Sequence, residues 1–119
     1  MWHLSQRTLS VIYYFYKMNI KITYLYRDAA NYKSWNEEVF SNTSDIPLEK
    51  IKTVVHSLLQ DGEYFNAKEW GLKDLHFENW DEEIDHAMHE LHCIEETSFK
   101  NTTIDIAVFL SQISCIKIV

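Results

Sequence analysis

The stretch Asn19-Ile-Lys-Ile-Thr-Tyr-Leu-Tyr-Arg27 constrains this chain more than any other. Ile20, Ile22, Tyr24 and Tyr26 recur at every second position, with Lys21, Thr23, Leu25 and Arg27 between them. A helix would scatter these residues around its circumference, whereas a strand collects them on one face. A lone strand cannot bury that face, so the chain must supply neighbouring strands and a covering layer. With 119 residues there is room for one such core and not two.

The covering layer is legible at residues 47–60. Leu48, Ile51, Val54, Val55, Leu58 and Leu59 fall at helical spacing and form one apolar stripe. Pro47 suits a first turn, Asp45 is a candidate cap, Glu49 complements the positive end, and Gly62 supplies a stop. Trp35 to Ser41 predicts a shorter strand around Val39 and Phe40, antiparallel to the first across an Asp28–Asn31 turn. Glu63 to Ala67 reads as a strand or an extended turn. Lys73 to Glu78 predicts a third strand, with Leu75 and Phe77 on one face. Residues 81–88 read as an irregular or helical turn that runs into a strand near 89–96. Ile104, Ala107, Val108 and Phe109 predict a short helix capped by Thr102 or Thr103. Residues 113–119 read as a tail or a last edge strand. The expected architecture is a single α+β domain over residues 18–112. It has about four mostly antiparallel strands, one main amphipathic helix and a short C-terminal helix.

The N-terminal segment falls outside this pattern. Arg7 precedes an apolar run from Leu9 to Tyr16, but Lys17, Asn19 and Lys21 break it before the ~18–20 residues a membrane helix needs. No small-residue cleavage site follows, so the run reads as neither a secretory signal nor a membrane span. Met18 opens the first strand directly. Met1 and Met18 are both candidate starts, and from Met18 residues 1–17 would be an extension that packs poorly or forms an isolated helix.

Composition narrows the function classes. A chain that is 46% hydrophobic, with two glycines and one proline, is neither disordered nor a linker. A net charge of -7 excludes nucleic-acid binding by simple phosphate neutralisation. The charge is also unevenly placed: residues 60–97 hold twelve acids against Lys68 and Lys73 alone. That stretch is a solvated face or a patch for a cation or a basic partner. Cys93 and Cys115 form no paired metal or redox motif; a single disulfide between them is one reading, and reduced thiols in a cytoplasmic protein the simpler one.

Metal-type ligands crowd together once, in Asp85-His-Ala-Met-His-Glu-Leu-His-Cys93. The candidate ligands are Asp85, His86, His89, Glu90 and His92, a donor set suited to zinc or another divalent metal. On a helix, Asp85, His89 and His92 share a face, with His86 and Glu90 beside it. On a strand, His89 and His92 point to opposite faces. The order H-x-x-H-E is not the zinc-protease H-E-x-x-H. Catalysis there needs a metal with an open position and a base such as Glu90. No nucleophile elbow, phosphate loop or dinucleotide fingerprint is present, since Gly62 and Gly71 cannot build one. A second candidate region holds Arg27, Asp28, Asn31, Tyr32 and Trp35. Aromatics beside arginine are typical of recognition surfaces. The alternative is packing at the core edge, with Arg27 or Asp28 bridging a loop.

The segments Tyr26-Arg-Asp-Ala-Ala-Asn-Tyr-Lys-Ser-Trp35, Asp61-Gly-Glu-Tyr-Phe65 and Asp85-His-Ala-Met-His-Glu90 together resemble a family of small bacterial proteins, cyanobacterial members included. The resemblance spans about residues 18–97. It implies a bacterial cytoplasmic protein and carries no activity with it. It draws attention to Arg27, Asp28, Asn31, Trp35, Asp61, Glu63, Asp85, His86, His89 and Glu90. These positions form one composite site or a set of loop-fixing hydrogen bonds. The leading expectation is a non-enzymatic protein-binding or regulatory module. The alternative is a divalent-metal protein or metal-dependent hydrolase that uses the Asp85–His92 cluster. Neither reading sets the oligomeric state.

Overall fold

A computed structural model of the protein describes residues 18–78, 88–100 and 102–116. The alternating segment forms β1 (Asn19–Arg27), followed by β2 (Lys33–Phe40), α1 (Leu48–Ser57), β3 (Tyr64–Phe65), β4 (His89–Thr97) and α2 (Ile106–Ser114). The four strands make one antiparallel sheet in the order β2-β1-β4-β3. The α+β class, the main helix and the short C-terminal helix match the sequence-based expectation.

Alternation on β1 decides the layers. Ile20, Ile22, Tyr24 and Tyr26 are all buried and cluster with Ile51 and Val55 of α1 and with Ile106, Phe109 and Ile113 of α2. Both helices therefore cover the same face of the sheet. A relay of rings ties the layers together. Phe40 packs on Phe109 at 4.6 Å, Phe109 meets Trp70 at 6.1 Å, Trp70 stacks on Phe65 at 4.5 Å, and Phe65 meets Tyr24 edge-on at 5.5 Å. Such pairs add about 0.5–1.5 kcal/mol each beyond the apolar area they bury.

Several local expectations are corrected by side-chain competition. Asp45 does not cap α1. It sits at φ +54° in a loop where Asn42, itself buried, accepts from the Ile46 N–H and donates to the Ile46 carbonyl, each at 2.9 Å. Pro47 starts the helix with no side-chain cap. Gly62 does not end α1, which stops five residues earlier at Ser57. With Asp61 it forms a two-residue turn in which both residues have positive φ, +52° and +71°. The Glu63 N–H closes that turn on the Gln60 carbonyl at 3.0 Å, the geometry that favours Asp-Gly in hairpins. The cap of α2 is Asp105 rather than Thr102 or Thr103, because its carboxylate accepts from the Ala107 N–H. Ile113 lies within α2 and is fully buried, so the core extends past residue 112.

Lys73–Glu78 is not a ladder-bonded strand. Leu75 is buried as the alternation predicted, but the segment is docked by side chains. The Tyr24 hydroxyl donates to the Lys73 carbonyl at 2.7 Å, and the Leu75 N–H donates to His89 Nε2 at 3.0 Å. The third strand is instead the Tyr64–Phe65 pair, which registers against Glu90 and His89.

Candidate functional site

The predicted recognition residues cluster at the β1–β2 hairpin, and the first three hold it in shape. The Asn31 N–H donates to the Asp28 carbonyl at 3.0 Å, and Asp28 Oδ1 accepts from the Tyr32 N–H at 2.8 Å. Asn31 takes φ +68°, a conformation asparagine tolerates well. Arg27 forks onto Glu90 of β4, with Nε at 2.9 Å and Nη2 at 3.3 Å, and turns Nη1 to Asn31 Oδ1. The Glu90 carboxylate raises the Arg27 pKa. Arg27, Asp28 and Asn31 thus fix the hairpin to the sheet. Tyr32 and Trp35 remain as exposed aromatics, 70% and 51% accessible.

Trp35 stands on the face of the sheet turned away from the helices. Register places it opposite Leu25, which faces Glu90, which in turn faces Tyr64, a row that crosses all four strands. A bulge between Thr23 and Tyr24 leaves His92 without a partner residue on β1. Such an extra residue is a means of re-aiming a side chain. Here the His92 ring meets Trp35 edge-on at 4.9 Å. Lys21 lies 3.0 Å from Glu95 and 3.9 Å from Glu37 on the same face. A shallow depression at this edge is lined by Thr23, Trp35, Asn36 and Glu37.

The edge strand β2 is half closed. Its far end is paired by the chain itself: the Val39 carbonyl accepts from the Thr103 N–H, the Ser41 N–H donates to the Ile104 carbonyl, and the Ser41 carbonyl accepts from the Ile106 N–H. In an antiparallel strand, outward-directed peptide groups alternate with those that face the neighbour. Trp35 and Glu37 therefore aim their backbone N–H and C=O outward, as Val39 does. No described segment pairs with them.

The predicted ligand cluster is divided. Asp85 and His86 lie outside the described residues. His89, Glu90 and His92 are on a strand: His89 is buried in the core, Glu90 holds Arg27 across the sheet, and His92 is exposed against Trp35. The strand thus keeps His89 apart from Glu90 and His92. His89 instead meets two residues that sequence reasoning passed over. Asp74 Oδ1 is 3.6 Å from His89 Nε2 and 3.0 Å from His76 Nδ1, and it also accepts from the His76 N–H at 3.0 Å. The local signal was Asp-Leu-His, which sets Asp74 and His76 on one side of an extended segment. The long-range partner His89 left no local trace. Tyr26 packs edge-on against His76 at 4.5 Å, and its ring centroid is 5.2 Å from that of His89.

On the helix side, Leu58, Phe65, Trp70 and Ile113 contribute to a small cleft of about 170 Å³. Cys93 and Cys115 are both free thiols. Among the described residues no helix is long and apolar enough to cross a membrane. Comparison with known proteins finds no match: no family model, no curated protein and no solved structure is similar to the chain.

Proposed function

We propose that this chain is a non-enzymatic protein-binding module that takes an extended segment of another protein as a further strand on the open edge of β2. The observation that carries this reading is the outward backbone of Trp35 and Glu37 beside an exposed tryptophan. Strand addition obtains affinity from main-chain hydrogen bonds and selectivity from pockets for alternate side chains. An aromatic beside the edge supplies the anchor such interfaces concentrate on. Glu37 and Glu38 flank the edge, which favours a partner segment that alternates apolar residues with lysine or arginine. The bacterial family resemblance and a cytoplasmic setting are part of the same proposal.

The test uses synthetic extended peptides of alternating valine and lysine, with an acidic counterpart as control. Binding is followed by anisotropy and by amide exchange. The basic peptide is expected to bind and to protect the Trp35 and Glu37 amides. Glu37→Pro removes one outward N–H without touching the β1–β2 ladder, so it should abolish binding in a protein that still folds. Protection mapped to another surface, or binding indifferent to Glu37→Pro and Trp35→Ala, refutes the reading. Concentration-dependent dimerisation that Glu37→Pro abolishes would assign the edge to a second copy of the chain instead.

A further inference from the structure

We infer that Asp74, His76 and His89 form a binding site for one borderline divalent transition cation of the zinc or cobalt class. The site is distinct from the open β2 edge and does not depend on it. One ligand atom from each of the three residues lies within 4.8 Å of the others. Two of the separations are 3.0 Å and 3.6 Å. A tetrahedral ion with bonds of about 2.0–2.1 Å spaces its ligands about 3.3 Å apart, between those two values. The third separation is at most 4.8 Å, so closing the set to bonding distance takes a shift of at most about 1.5 Å, with the fourth position left to solvent or another ligand.

The chemistry of the pair at the floor favours a cation. The Leu75 N–H donates to His89 Nε2, so that nitrogen presents a lone pair and carries no proton. Its approach to Asp74 Oδ1 at 3.6 Å is therefore a meeting of two electron-rich atoms and not an ion pair. An ion between them converts that repulsion into two bonds. The surroundings sharpen the effect. His89 is 1% exposed, and its ring lies among those of Tyr24, Tyr26 and Phe65. Such walls exclude water and lower the local dielectric constant. Asp74 and His76 are partly exposed, with side chains 26% and 20% accessible, and form the entry rim. Two imidazoles and one carboxylate suit zinc or cobalt and are poor hosts for magnesium or calcium, which prefer all-oxygen shells.

Binding through Nε2 must displace the Leu75 N–H, and this gives the site a signature. Protein purified without a histidine tag is titrated with Co²⁺ and Zn²⁺, with Mg²⁺ as control. One Co²⁺ per chain is expected, with the absorption of a low-coordinate complex and competition by Zn²⁺ but not by Mg²⁺. The Leu75 amide should exchange faster in the metal-bound protein while the core amides slow. Losing even a supporting partner of a ligand lowers metal affinity about 10–100-fold, so Asp74→Asn and His76→Ala should each weaken binding at least that much. Both residues are partly exposed, so these variants should fold. His92→Ala, on the opposite face, should bind as the wild type does. Unchanged affinity in Asp74→Asn and His76→Ala overturns the proposal. So does a Leu75 amide that stays protected at saturating metal.

Discussion

At the scale of single residues, stability concentrates in a few polar side chains that stitch distant segments together. Asp105 is the clearest. One carboxylate caps α2 through Ala107 and also accepts from the Ser41 hydroxyl at 2.9 Å, the Thr43 N–H at 2.9 Å and the Thr43 hydroxyl at 3.0 Å. Removing a helix cap costs about 0.5–2 kcal/mol, and here the cap uses Oδ2 while Oδ1 of the same carboxylate ties the end of β2. Asp105→Ala is expected to lose about 2 kcal/mol, read from the urea midpoint, with the denaturant slope unchanged. Tyr24 is the second. Its hydroxyl donates to the Lys73 carbonyl and accepts from Asn36 Nδ2 at 3.0 Å. Tyr24→Phe keeps the ring packing, strands the Lys73 carbonyl and leaves Asn36 with Glu38 alone, at a cost of about 1–2 kcal/mol. Because Lys73 belongs to the segment that His89 also docks, the substitution should speed amide exchange at Leu75 before the rest of the core loosens.

At the scale of elements, legibility followed how local each cause was. β1 and α1 carry their burial pattern in their own residues, so periodicity alone located them. The strand near 89–96 was readable for the same reason. The helix caps were not, because Thr102, Thr103 and Asp105 are all good capping residues, and the choice fell to the one within reach of Ser41 and Thr43. Residues 73–78 were misread as a strand because alternation reports which side is buried, not what bonds the backbone. Tyr24 and His89 bond it where a ladder would. The candidate site divided on the same ground. The hairpin residues were visible as a cluster in sequence, whereas Asp74 and His89 are fifteen positions apart and meet only through the fold. The hairpin itself offers a test. Asn31 is held at φ +68°, where a β-branched residue is strained and glycine is not. Asn31→Val should lower stability by about 1–2 kcal/mol. Asn31→Gly is free of that strain and loses only the Arg27 contact, so it should lie closer to the wild type. A thermal melt of the two variants separates backbone strain from that contact.

At the scale of the whole molecule, the sheet separates two kinds of chemistry. Its inner face carries the core and the Asp74–His76–His89 group, and its outer face and β2 edge carry the exposed aromatics. Titration links the stability of the whole to a few of the groups already named. Burial works to raise the Asp105 carboxyl, but the hydrogen bonds from Thr43, Ala107 and Ser41 outweigh it and hold the group below its ordinary value of 3.8. The folded state then binds a proton less readily than the unfolded chain. The stability Asp105 contributes is complete above the unfolded value and is lost as pH falls through the folded one. Tyr24 acts in the opposite sense. Burial raises its phenol above 10.0, so its contribution is complete below that value and is lost as pH rises through the folded one. Lys21, raised by its hydrogen bond to Glu95, adds to the same alkaline limb. Stability should therefore form a plateau with an acid limb owed in part to Asp105 and an alkaline limb owed in part to Tyr24. Urea midpoints of the wild type, Asp105→Asn and Tyr24→Phe, measured across pH, check both limbs by difference. The gap between wild type and Asp105→Asn should narrow as pH falls, and the gap to Tyr24→Phe should narrow as pH rises. A gap to Asp105→Asn that persists below the titration range would mean that the side chain acts there through packing and neutral hydrogen bonds, and not through its charge.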